Sequence, residues 1–177
     1  VSRWQEASLV AAVFAVDPVA LGGVLLQAQS GHVRDAWLRQ LRELLGPSRP
    51  LRKIPHHITD ERLLGGLDLT ATLREGRPIA ERGVLADVDG GVLLLEMSER
   101  ITSSAAARIS RAMDRGEVAL EREGLTQRSI TRFGLVLLDE GIERSSHKPK
   151  AVLLVDRGLS KWNRVEGRDH DYETASK

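Results

Sequence analysis

Residues 28–35, AQSGHVRD, lie between an apolar run and a helical pattern, which is where a strand–loop–helix unit receives phosphate. A working phosphate loop reads GxxxxGK followed by Ser or Thr. Its backbone N–H groups cradle the phosphates, the Lys meets the β and γ oxygens, and the hydroxyl holds Mg2+. Here Ala28 and Val33 stand where the two glycines belong, Arg34 takes the Lys position and Asp35 the hydroxyl position. Arg34 keeps a planar cationic fork suited to phosphate, but Asp35 sets a negative charge against a polyanion. With Ser30, Gly31, His32 and Val33, these two residues are the candidate contacts of a degenerate nucleotide site. Taken alone, the segment also fits an ordinary strand–turn–helix corner with Arg34, Asp35 and His32 in solvent.

Two further runs end in carboxylates. VLLLEM closes on Glu96 and Met97. In a hydrolysing strand of this kind the pair is Asp-Glu, the first holding Mg2+ through water and the second polarising the attacking water. Glu96 retains a weak magnesium role on this reading, whereas the Met97 thioether cannot take a proton from water. Hydrolysis is therefore expected to be absent or very slow. The competing readings are a solvated strand tip for Glu96 and a core filler for Met97. LVLLDE closes on Asp139 and Glu140 where a polar, sensor-like residue would orient the water; a solvated loop start is the alternative. No third ligand of credible spacing accompanies these acids. His56 and His57 are adjacent and would face opposite sides of a strand, and His147 and His170 fall in an irregular tail, so no metal site is expected. No nucleophile elbow is present.

The elements that must position these residues alternate between helix and strand. Residues 4–16 carry apolar side chains at helical spacing until Asp17-Pro18 stops them. Residues 22–29 form a short apolar run bounded by Gly, and residues 33–45 place Trp37, Leu38, Leu41, Leu44 and Leu45 on one helical face. Residues 47–66 have no clean period and read as a long connection with a short strand at most. A short helix within 66–76 and a hairpin around Arg82-Gly83 come next. Residues 90–97 show the pattern of a central strand, and Ser103 and Ser104 are placed to cap the helix that follows. Residues 117–124 alternate as an exposed hairpin strand, and 132–141 repeat the buried-strand pattern. The sum is a three-layer α/β domain with a mainly parallel sheet.

Composition narrows the function. At 177 residues one domain is expected, and 26 basic against 25 acidic residues leave a net charge of +1, so no global field draws nucleic acid or acidic lipid. The absence of Cys excludes disulfides, thiolate metal sites and thiol catalysis. Residues 9–16 are too short for a membrane span and lack a basic leader, so a cytoplasmic protein is expected. Aromatics at 3% leave no stacking platform for bases.

Residues 65–101 and 116–141 closely resemble the AAA+ module of the D subunit of magnesium chelatase, which inserts Mg2+ into protoporphyrin IX on the route to chlorophylls and bacteriochlorophylls. The blocks are Gly66-Leu67-Asp68, Gly83-Val84-Leu85-Ala86 before the second acidic strand, and Leu120-Glu121-Arg122-Glu123-Gly124. They appear in the family's order over roughly residues 5–141, which is far more specific than any one motif.

The resemblance implies a P-loop NTPase fold of AAA+ type with inserted β-hairpins. The intact loop and Asp-Glu pair of the I subunit are replaced here by Arg34-Asp35 and Glu96-Met97, so the chain resembles D rather than I. By resemblance, D is a platform that joins I-type ATPase subunits in a ring and transmits their motion to the porphyrin-binding H subunit. Weak ATP and Mg2+ binding is the most it implies for cofactors. The family's helical lid, acidic linker and integrin-like domain find no counterpart in residues 142–177, so a truncated module is expected. Its bounds would be 1–157, ending at Arg157 as a possible arginine finger, with 158–177 a polar, disordered or non-family tail. The alternative is a divergent but active ATPase of the chelatase or MoxR-like group that uses Arg34 and Glu96. A fragment without function in isolation is the third reading.

Overall fold

A computed structural model describes residues 3–122, 125–141 and 150–154. Helix α1 (Arg3–Val16) ends where Asp17 and Pro18 interrupt it, and Asp17 then caps α2 (Pro18–Leu21) by accepting the Ala20 N–H at 3.0 Å. Strand β1 (Gly23–Gln27) leads into α3 (His32–Leu45), which stops at Gly46, φ 73°. The stretch before the next central strand holds β2 (Leu51–Ile54), α4 (Asp60–Leu64), β3 (Gly65–Leu67), α5 (Leu69–Glu75), β4 (Ala80–Arg82) and α6 (Val84–Asp87). Then come β5 (Val92–Leu95), a 3-10 turn at Ser98–Arg100, α7 (Ser103–Arg115), β6 (Glu117–Arg122), β7 (Leu125–Ile130), β8 (Gly134–Asp139) and β9 (Lys150–Leu154).

The main sheet runs β2-β5-β8-β1-β9. Its first four strands are parallel, and β9 lies antiparallel against β1 at the edge. Because side chains alternate across a strand, each central run feeds two cores. Leu25, Leu93, Leu95, Leu135 and Leu137 face Leu63, Leu85 and Ile109 from α4, α6 and α7. Val24, Leu26, Val92, Leu94, Val136 and Leu138 face Phe14, Trp37 and Leu41 from α1 and α3. Each such buried aliphatic contributes about 1.5–3 kcal/mol, and the doubled core explains why the runs at 92–95 and 134–138 are apolar at every position. This is the expected three-layer α/β arrangement.

Two further antiparallel pairs form arms outside the main sheet. In one, β3 and β4 pair antiparallel with α5 between them; in the other, β6 and β7 form a hairpin. The hairpin expected around Arg82-Gly83 is not there. β4 pairs back with β3 rather than forward, and Gly83 instead opens α6, packed so closely on β3 that an added Cβ would lie 2.3 Å from Gly65 N. Residues 47–66 hold a helix as well as the short strand allowed for them. Their pattern is weak because β2 exposes Arg52 and Lys53 and α4 has only five residues. The cap of α7 is Thr102, which accepts the Ala105 N–H at 3.2 Å, rather than Ser103 or Ser104, which lie inside the first turn. No described helix is long and apolar enough to cross a membrane. Arg157, His147, His170 and the segment 158–177 lie outside the described residues.

Candidate functional site

The site is the corner between β1 and α3, walled by the tips of β8 and β5. In register, Gln27 lies beside Asp139 on the parallel neighbour strand, so both strands end at the same level. The Gln27 amide donates to Asp139 Oδ2 at 3.2 Å, and the Ala28 N–H donates to the Asp139 carbonyl at 3.0 Å. Asp139 Oδ1 accepts the Gly141 N–H at 2.9 Å. The sensor-like candidate is thus bonded into the turn that follows its strand.

Glu140 is turned toward α3. Arg34 Nη1 donates to Glu140 Oε1 at 2.5 Å, Arg34 Nη2 donates to Ser30 Oγ at 2.6 Å, and Ser30 Oγ donates to the same Glu140 oxygen at 3.1 Å. The three groups close a ring of charge-assisted bonds. Arg34 is not the solvated residue that an ordinary corner would carry: its side chain is 10% exposed, against 30% for Glu140. Arg34 Nε is buried without a partner. Burial pushes the Glu140 carboxyl up, but the bonds from Arg34 and Ser30 and the charges of Arg34 and Arg100 outweigh it and hold the group below the usual glutamate value. Glu99 joins from the β5 side, accepting the Glu140 N–H at 3.3 Å.

The remaining loop residues point elsewhere. Gly31, His32 and Asp35 are exposed and Val33 is half-buried. Gly31 starts α3 without a side-chain cap, and Asp35 is the acidic residue of its first turn. On β5, Glu96 pairs with Lys53 of β2 at 2.5 Å rather than with the Arg34 ring. Met97 is the one non-glycine with positive φ among the described residues, at φ 47° and ψ 53°. His56 and His57 sit in a turn, not a strand, with ring centroids 4.9 Å apart. Among the described residues no group of three or more His, Asp or Glu is placed to hold a metal.

The structure therefore joins Ser30 and Arg34 with Glu140 and leaves Glu96 and Met97 outside that ring. Sequence reasoning marked Glu140 only as part of a strand end. Its bond to Arg34 spans 106 residues, and no local pattern announces such a partner. Lys53 carried no signal either.

A parallel central sheet with a phosphate-type corner at β1–α3 defines an AAA+ P-loop fold. The same fold is found in a cryo-EM-based structure of the complex between subunits BchI and BchD of magnesium chelatase, with TM-score 0.61 and 23% identity over 78% of this chain and 53% of that one. No family model matches the chain. Among curated proteins, it is 38% identical over 124 residues to the magnesium-chelatase 67 kDa subunit of Chlorobaculum parvum, covering 70% of this chain. It is 34% identical over 169 residues to the 60 kDa subunit of Rhodobacter capsulatus, covering 93%. The chain is a homologue of these 60 and 67 kDa, or D-type, subunits of magnesium chelatase. It spans 20% and 27% of their respective lengths.

Proposed function

We propose that this chain acts as a platform segment of a D-type chelatase subunit, holding the AAA+ shape without turning over ATP. The observation that carries the reading is the ring of Arg34, Ser30 and Glu140. ATP and Mg2+ are the groups the fold implies, and the residues present do not fit them. The cation of the phosphate loop is already neutralised by a carboxylate of the same chain, and exposed Asp35 would repel a polyanion. Glu96 is paired with Lys53, and position 97 offers no base.

On this reading the platform serves an enzyme that inserts Mg2+ into protoporphyrin IX for bacteriochlorophyll synthesis. Its partners are an I-type ATPase subunit, in a ring, and an H-type porphyrin-binding subunit, in the cytoplasm. Similarity to a chain of a BchI–BchD complex supports the I-type partner. The two arms are the proposed contacts: α5 buries none of its residues and exposes Leu69 and Leu73, as a docking element does. The proposed unit spans residues 1–157. Steady-state ATP hydrolysis by the purified chain tests the silent role; turnover comparable with an intact AAA+ ATPase would refute it.

A further inference from the structure

We infer that the Glu140 carboxylate is an internal stand-in for a phosphate, and that the Ser30–Arg34 pair it occupies is a masked anion site of the phosphate class. The inference rests on the platform reading and gives it a mechanism. Arg34 stands at the phosphate-loop cation position, in the first turn of a helix of 14 residues that has no side-chain cap. Its guanidinium is buried, and an anion already lies on it at 2.5 Å, also bonded by the hydroxyl of the loop's Ser30. Two oxygen-seeking donors thus converge on one oxygen, the arrangement by which an Arg and a hydroxyl hold a phosphate. Arg34 Nε, buried and unpartnered, leaves one donor of the fork unused by the carboxylate. Planar and monoanionic, Glu140 matches less of the fork than a phosphate group would.

What keeps an external anion out is tethering. The carboxylate is presented by the end of β8, whose register with β1 is fixed over five residue pairs, so it competes as an intramolecular ligand at high effective concentration. Glu99 accepts the Glu140 N–H and helps hold it in place. The corner therefore favours the closed, anion-bound arrangement and weakens the apparent affinity for an external anion by the factor that the tether supplies, so the subunit has less tendency to cycle with its ATP-hydrolysing partners.

The test is titration of inorganic pyrophosphate into the full 177-residue chain and its variants by isothermal calorimetry. Glu140→Gln keeps the shape and removes the charge, and its affinity for pyrophosphate should rise by about tenfold or more over the parent chain. Glu140→Asp, one methylene shorter, should fall between the two. The pair Arg34→Gln with Glu140→Gln should lose the gain. If Glu140→Gln needs the anion to fold, circular dichroism will show pyrophosphate-dependent refolding. Equal affinity in the parent chain, Glu140→Asp and Glu140→Gln would overturn the inference, as would a gain that survives loss of Arg34. No ATP turnover is expected in any variant, because Met97 still supplies no base. Failure here leaves association with the I-type subunit untouched, so the two readings fail separately.

Discussion

Arg34 on α3 and Glu140 beyond β8 are separated by 106 residues and joined at 2.5 Å, with Ser30 bonded to both. The contact turns the corner that would hold a nucleotide into a structural clasp between α3, which follows β1, and the end of the neighbouring strand β8.

Breaking the clasp should cost stability. Arg34→Gln leaves Glu140 with Ser30 alone, and Glu140→Gln leaves a buried guanidinium without its counter-ion. Each should lower the unfolding free energy by roughly 1–3 kcal/mol, less than for a fully buried pair because Glu140 keeps 30% of its side chain in solvent. Urea denaturation of the single and double variants measures it. The double variant should lose less than the sum, since the two changes remove one interaction.

The clasp should also make stability depend on pH. Folded Glu140 titrates below its unfolded value near 4.5, so its contribution is complete above that value and is lost as pH falls through the lower folded one. The parent chain should therefore lose its advantage over Glu140→Gln on acidification, and a gap between their urea midpoints that stays constant would contradict this.

The arm that carries α5 hangs on a close glycine contact. A Cβ at Gly83 would lie 2.3 Å from Gly65 N and 2.3 Å from the Leu64 carbonyl carbon, both backbone atoms. Gly83→Ala should destabilise the chain by about 1–3 kcal/mol and detach β4 from β3, seen as faster amide exchange at Asp68, whose N–H bonds the Ile79 carbonyl. Gly76→Ala is the contrast: open space surrounds that Cβ, and only its positive φ costs energy.

Much of this architecture was legible because apolar runs and breakers are local. Asp17-Pro18 and Gly46 set the bounds of α1 and α3, and the four-residue run at 92–95 announced a strand buried on both faces. What failed was also local in appearance but decided at a distance. Arg82-Gly83 looked like a hairpin turn, yet the partner of β4 is β3, beyond a seven-residue helix. The phosphate loop was legible as altered, residue by residue. Its consequence was not, because whether Arg34 meets solvent, phosphate or carboxylate depends on where residue 140 is delivered by the sheet.

Leu69 and Leu73 should matter for assembly and little for folding. They are 66% and 83% exposed on a helix that buries nothing. Changing both to Asp should shift unfolding free energy by no more than about 0.5 kcal/mol while weakening association with an I-type subunit. Unchanged association would move the contact to the β6–β7 hairpin.

The central claim, that this chain is a platform for an I-type partner, is tested most directly by sedimentation velocity of the chain mixed with an I-type chelatase ATPase, with and without ATP. The account predicts a complex that forms with the parent chain and equally with Arg34→Gln, since binding does not require this corner to hold nucleotide. Absence of any complex under either condition would contradict it.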